Sequence, residues 1–262
     1  MRLSTPGVAP SVRALILAAG RGERMRPLTD HTPKPLLTVR GQPLLWWWVQ
    51  ALRRAGVADI VVNTAWLGGK ISDYFAHKSA SIHPEQLQKQ EYSTPLISAE
   101  GQDFGYALET AGGIARALPL LAPSAEDLFW VVAGDIYAPD FVFAPEAVQR
   151  FACSDRLAHL WLVPNPPHNP HGDFALDPEG QALNEAPAGG VRHTFSTIGL
   201  YRRALFEAPW CPILSGNPQG TAAPLAPLLR QAIAAGQVSA ELYPGPWTDV
   251  GTPERLAQLN GA

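Results

Sequence analysis

Charge is scarce in this chain: Asp, Glu, Lys and Arg make up 16% of its 262 residues, against the ~25% usual for soluble domains. The formal net charge is −3, which excludes a general nucleic-acid binder, because that function needs a broad basic surface. Cysteine is nearly absent. Cys153 and Cys211 are isolated, form no CxxC pair and build no disulfide framework, so a reducing compartment is expected. Long apolar runs are missing too, none reaching the ~18 residues of a membrane span. Residues 14–20 are apolar, but their charges follow, in Arg21, Arg24 and Arg26, the reverse of a signal peptide. Heptads are missing as well, and with the prolines this excludes a coiled coil. A cytoplasmic protein is expected, with neither nucleic acid nor membrane among its partners and with a loose stretch over residues 1–11.

What the chain has instead is apolar substance and proline. The hydrophobic fraction is 46%, so a disordered chain is excluded and a large core is expected. Proline occurs 26 times, about twice its usual share of ~5%, and is spread over connections, which predicts stiff loops. Strand-like and helix-like segments alternate. Strands are predicted over residues 12–17, 59–63, 95–99, Leu128–Ala133 and 157–163. Helices are predicted from Pro43 to a stop at Gly56, and over residues 67–75 and 110–121. Strands alternating with helices imply a mostly parallel sheet covered on both faces. After the proline-rich stretch VPNPPHNP, short strands are predicted over residues 173–176 and 193–201. A helix follows over 222–235, a strand over 238–243, and a last helix with Thr252 as N-cap and Pro253 at its first position. The polar run over residues 76–91 reads as a surface insertion. Trp46, Trp47 and Trp48 are consecutive, so they must point to different helix faces, with at least one exposed or at an interface. His168 and His171 flank Asn169–Pro170 without a third ligand, which argues against a zinc site.

The most informative segment is LILAAGRGERMRPLTDHTPKPLL, beginning at Leu15. A predicted buried strand ends at Ala18 and runs into a loop with Gly20 and Gly22. Such glycines let backbone approach a ligand, and exposed N–H groups there cradle phosphates. Arg21, Arg24 and Arg26 supply forked donors, and Lys34 is a point charge held between Pro33 and Pro35. Six basic and two acidic residues between Arg13 and Arg40 give this stretch +4 in a chain of −3, a focused anion site. It is not a Walker A loop, for GxxxxGK[ST] is absent. Nor is it the dinucleotide fingerprint GxGxxG, because Met25 stands where the third glycine belongs.

The string GRGERMRPLTDHTPKPL resembles the signature of the sugar-1-phosphate nucleotidyltransferases, GxGxRMxPLTxxxPKPL. VVNTAWLG, ETAGGI, GDF and WTDVGT bring the chain nearest to the N-acetylmuramic acid α-1-phosphate uridylyltransferases of cell-wall recycling. The resemblance implies an α/β, Rossmann-like doubly wound mixed sheet with a sugar-binding second half. It implies one domain over residues 1–262, its nucleotide-binding part at 12–163, its sugar-binding part at 164–250 and a C-terminal helix at 251–262. It also implies a reaction, transfer of a nucleotidyl group from UTP to a sugar 1-phosphate with release of pyrophosphate. Arg24, Lys34 and Asp135 would be catalytic. Ala19, Gly20, Gly22, Glu23, Arg24, Lys34, Asn63, Glu100, Gly101, Thr110 and Gly112 would hold the nucleotide, Gly112 and Gly113 letting the base come close. Ala133, Gly172, Asp173, Glu185 and Ser196 would face the sugar. Asp135 and Asp249 would bind Mg²⁺, a hard cation that takes carboxylate oxygens. Independently of the resemblance, Asp135 follows the apolar run LFWVVAG, at the carboxyl end of a strand, where open α/β sheets bind ligands. Two departures stand out: Ala133 replaces an asparagine frequent two residues before the metal aspartate, and Ala111 narrows a position usually held by glycine. A mannose-1-phosphate guanylyltransferase or another sugar nucleotidyltransferase, and a non-catalytic nucleotide-sugar-binding regulator, remain the alternatives.

Overall fold

The computed structural model describes residues 12–80, 94–124 and 126–261. The expected loose stretch 1–11 and most of the expected polar insertion, residues 81–91, lie outside the described residues. The first half of the chain comprises β1 (Arg13–Leu17), β2 (Thr38–Val39), β3 (Gln42–Pro43), α1 (Leu44–Arg54), β4 (Ile60–Thr64), α2 (Gly68–Ala80), β5 (Leu96–Ala99), α3 (Glu100–Phe104), α4 (Glu109–Leu121) and β6 (Leu128–Ala133). Next come β7 (Ile136–Tyr137), α5 (Pro145–Ala152), β8 (Ala158–Val163), β9 (Phe174–Leu176), β10 (Ala182–Leu183) and β11 (Arg192–Arg202). The chain ends with α6 (Leu225–Ala234), β12 (Val238–Leu242), β13 (Thr248–Asp249) and α7 (Pro253–Leu259).

β5, β4, β1 and β6 lie side by side and parallel. Their near-continuous apolar runs follow from burial on both faces, which parallel strands joined by helical crossovers require. β11 then joins antiparallel, pairing with β6 on one edge and β8 on the other, and β12 closes the row parallel to β8. The β9–β10 hairpin adds to the first residues of β11. The sheet is therefore mixed, as the resemblance implied.

Side chains alternate across it. Leu15, Val61, Phe129 and Val131 face one side and pack under α4 and α6. Ile16, Val62, Trp130 and Val132 face the other and pack under α1 and α5. The α5 helix escaped sequence reading because it is short and has only Ala147, Val148 and Phe151 buried. Arg202, at the end of β11, donates to the carbonyls of Phe151, Ala152 and Ser154, answering the acceptors that a helix C-terminus leaves open. The last helix begins as read from the sequence, with the Thr252 hydroxyl accepting from the Arg255 N–H and Pro253 at the first position.

The three tryptophans diverge as predicted, yet none is fully exposed. Trp46 and Trp47 are half-buried and meet edge to face, and Trp47 also packs on Tyr137. Trp48 is buried and donates its indole N–H to the Ala133 carbonyl at 3.0 Å. That bond anchors the carboxyl end of β6. No helix among the described residues is long and apolar enough to cross a membrane.

Trp48→Phe keeps an aromatic side chain, though a smaller one, and leaves the Ala133 carbonyl without this donor. The variant should lose about 1–3 kcal/mol in urea denaturation, the cost of an unanswered buried polar group. An unchanged midpoint would mean that the bond does not secure this strand end.

Candidate active site

β1 ends at Leu17 and β6 at Ala133, and the two are in register there. The Gly134 N–H donates to the Leu17 carbonyl at 2.8 Å. A Cβ on residue 134 would sit 2.8 Å from that same oxygen, so only glycine lets the chain turn here. Asp135 follows directly. The loop after β1 therefore lies beside Asp135 at the carboxyl edge of the sheet.

Local contacts fix the loop. Gly22 has a left-handed φ of +69° and opens a single helical turn, Glu23–Met25, whose Met25 side chain is fully buried. A side chain at residue 22 would crowd Thr29 and Lys34 at 3.1 and 3.3 Å. The Thr29 hydroxyl donates to the Gly22 carbonyl, and the Trp66 indole donates to the Thr29 carbonyl. The Arg21 guanidinium lies 4.1 Å over the Trp66 ring. Trp66 thus pins both ends of the basic segment, a role the sequence did not signal.

Most of the loop's charge is already paired. Arg21 meets Glu23 at 2.6 Å and Arg26 meets Asp30 at 2.7 Å. Arg13 sits away from the loop's tip, against Asp59. Lys34 is 9% exposed and its ammonium contacts the Asp135 carboxylate through Oδ2. The Arg24 guanidinium has no hydrogen-bond or ionic partner among the described residues, so its five donors are open to an incoming anion.

A buried relay supports the loop from behind. Asn63, at the end of β4, accepts from the Ala18 N–H at 2.8 Å and donates to Glu100 Oε1 at 2.6 Å. The other Glu100 oxygen accepts from the Leu108 N–H. Glu100 is fully buried, and burial pushes its carboxyl above the ordinary carboxylate range.

The cleft has two adjoining lobes. The first, of about 510 Å³, is lined by Ala19, Gly20, Gly22, Glu23, Arg24, Lys34, Asn63, Thr110, Ala133 and Asp135 among others. The second, of about 380 Å³, shares Leu17, Thr110 and Ala133 with the first and is walled by Asp173, Phe174, Phe195, Thr197, Tyr201 and α6. Burial holds the Tyr201 phenol protonated, by raising its pKa. The two volumes lie within the range of small-molecule sites.

Several residues expected in the cleft lie outside it. Glu100 lines neither lobe and is bonded to Asn63. Gly101 is a glycine because the Ala65 backbone passes within 2.7 Å of where its Cβ would be. Gly112 and Gly113 answer a close approach, but by the chain itself. A Cβ at 112 would meet the Thr221 carbonyl at 2.4 Å, and one at 113 would meet Glu100 and Asn63 at 2.6 and 2.8 Å. On the expected sugar side, Gly172 has a left-handed φ of +61° and abuts the Arg192 carbonyl. Glu185 is exposed and meets Arg192. Ser196 is fully buried and bonds across to the Trp161 carbonyl and the Ile198 N–H. It ties the bulge in β11, whose shift in register turns its neighbours Phe195 and Thr197 to the lobe instead.

Asp249 reaches the same edge through the β7–β13 pair, with the Val250 N–H donating to the Asp135 carbonyl at 2.9 Å. Its Oδ1 meets His168 at 2.9 Å and also Arg255. Neither partner was found from sequence, since His168 lies in the proline-rich loop and Arg255 in α7. Asp135 Oδ1 and Asp249 Oδ2 have no partner among the described residues. Two hard carboxylate oxygens, one just before β7 and one in the paired strand β13, fit a divalent cation that completes its shell with water and substrate phosphates. No group of three or more His, Cys, Asp or Glu side chains that could hold a metal occurs among the described residues, so a fuller protein cage is not offered.

Because Glu100 titrates higher in the folded protein than in the unfolded chain, folding favours its protonated form. Wild type should therefore lose stability relative to Glu100→Gln as pH rises from the ordinary carboxylate value through the raised one. Urea midpoints over a pH series check this, and a pH-independent difference would contradict it.

The nucleotidyl transferase family model matches residues 13–262. The chain is 44% identical to the N-acetylmuramate alpha-1-phosphate uridylyltransferase of Neisseria meningitidis serogroup B, over 94% of this chain and 96% of that one. It is 33% identical to the UTP–glucose-1-phosphate uridylyltransferase of Synechocystis, over 72% of this chain and 48% of that one. Among solved structures, HddC from Yersinia pseudotuberculosis complexed with GMP-PN has the same fold, with a TM-score of 0.65 at 17% identity. The match covers 95% of this chain and 98% of that one. Fold, loop and near-complete coverage agree, and the chain belongs to the nucleotidyl transferase family.

Proposed function

We propose that the protein transfers a uridylyl group from UTP to N-acetylmuramic acid 1-phosphate, giving UDP-N-acetylmuramic acid and pyrophosphate, with Mg²⁺ as cofactor. The observation that carries this reading is the convergence of Arg24, Lys34 and Asp135 on one lobe that opens into a second, mostly apolar one. The 44% identity to the Neisseria enzyme supports the choice of sugar and base.

An oxygen of the sugar phosphate attacks the α-phosphorus of UTP, a new P–O bond forms, and the bond to the β-phosphate oxygen breaks. The nucleophile is already an anion, so no general base is required. The protein has to position two polyanions and offset their repulsion. The N–H groups of the Gly20–Gly22 loop and the open Arg24 fork face the triphosphate. Lys34, in the first lobe, faces the α-phosphate and the sugar phosphate, and in their absence its charge is answered by Asp135. Asp135 and Asp249 would hold Mg²⁺, which supplies charge neutralisation at the phosphates when bound. Asp173 accepts from the Phe195 and Asn169 N–H groups through Oδ2, leaving Oδ1 for a sugar hydroxyl. The nucleotide half at 12–163, the sugar half at 164–250 and the helix at 251–262 act as one catalytic unit, placed in the cytoplasm and in cell-wall recycling.

Pyrophosphate release with four nucleoside triphosphates against several sugar 1-phosphates tests the reading. UTP with N-acetylmuramic acid 1-phosphate should give the highest kcat/KM. A preference for GTP with mannose 1-phosphate would replace it by guanylyl transfer, and no release with any pair would leave a nucleotide-sugar sensor. Asp135→Asn should lower turnover at least ~100-fold with thermal unfolding within a few degrees of wild type. Substantial retained activity would remove Asp135 from the site.

A further inference from the structure

The second lobe is an apolar chamber with one cation at its mouth. Phe174, Phe195, Leu225 and Leu229 form its walls. Among the described residues that line it, Arg230 is the only basic one. It is also the only charged residue of α6. The guanidinium is exposed and lies 5.4 Å over the Phe174 ring. The ring holds the face of the cation, while the in-plane N–H fork has no acceptor among the described residues. On the inner wall, Tyr201 is 1% exposed and its hydroxyl has no hydrogen-bond partner among the described residues. Thr197 beside it holds a left-handed φ of +64°, a strained conformation for a β-branched residue and one that collects at ligand sites.

An unpaired arginine fork beside an apolar wall suits a carboxylate carried on a short aliphatic arm, which the fork can bind with two parallel hydrogen bonds. N-acetylmuramic acid differs from N-acetylglucosamine by such an arm, the 3-O-lactyl ether with its methyl and carboxylate. We propose that Arg230 is a specificity residue that binds the lactyl carboxylate, with the apolar wall receiving the methyl groups. This rests on the muramate reading of the cleft given above. The acid in the lobe, Asp173, is turned by its bonds to Phe195 and Asn169 toward sugar hydroxyls, and its charge keeps the lactyl carboxylate on the Arg230 side.

The test compares kcat/KM for N-acetylmuramic acid 1-phosphate and N-acetylglucosamine 1-phosphate, both with UTP, in wild type, Arg230→Ala and Arg230→Lys. Wild type should prefer the muramate. In Arg230→Ala the preference should fall roughly 10- to 100-fold, the range of a lost charge-assisted hydrogen bond, with the change in KM rather than kcat. Arg230→Lys should recover part of it, because charge returns without the fork. An equal loss on both sugars would mean a structural role and overturn the assignment, as would an unchanged preference. A wild type indifferent to the lactyl group also overturns it while leaving uridylyl transfer intact. A wild type inactive on both sugars overturns the muramate reading and the assignment with it.

Discussion

The site depends on the parallel pairing of β1 with β6. These two buried strands run in register to Leu17 and Ala133 and end together. The hydrogen bond from Gly134 to the Leu17 carbonyl then forces both chains to leave the sheet at one point. One chain becomes the basic loop and the other delivers Asp135. The geometry is thus set by backbone hydrogen bonds and by the absence of a Cβ at residue 134, at the carboxyl edge of the sheet. Trp48 adds to it from α1 by holding the Ala133 carbonyl. Asn63 adds to it from β4 by holding the Ala18 N–H.

Electrostatics follows from that placement. A lightly charged chain concentrates cations in one segment and then pairs most of them locally, and among the described residues of that segment Arg24 keeps an open fork on the first lobe. Lys34 and Asp135 neutralise each other within the first lobe. In the proposed reaction a polyanionic substrate would take over the lysine and free the carboxylate for a divalent cation. The second lobe repeats the device on a smaller scale, with Arg230 waiting over Phe174.

Much of this could be read from sequence because it is local. The strands of the parallel core are short, mostly apolar runs, the Thr252–Pro253 start of α7 is a cap with a chemical signature, and the basic loop carries its residues within one short string. What escaped is what depends on distant contacts. The sequence gives no sign that Trp66 would clamp Thr29 and Arg21, or that His168 and Arg255 would hold Asp249. The resemblance places Glu100 beside the nucleotide and Ser196 beside the sugar; in the fold both are fully buried, Glu100 bonded to Asn63 and Ser196 to the Trp161 carbonyl. Gly112 and Gly113 are read from the sequence as room for a base, and in the fold the chain itself also lies where their side chains would be. A glycine reports that something comes close, and only the fold says what.

A crystal structure of the protein with a non-hydrolysable UTP analogue, Mg²⁺ and N-acetylmuramic acid 1-phosphate tests the central claim most directly. The account predicts the α-phosphate at the edge shared by β1 and β6, within reach of Arg24 and Lys34, with the sugar in the lobe bounded by Asp173 and Arg230. A triphosphate bound away from the loop after β1, or a sugar outside the second lobe, would contradict it.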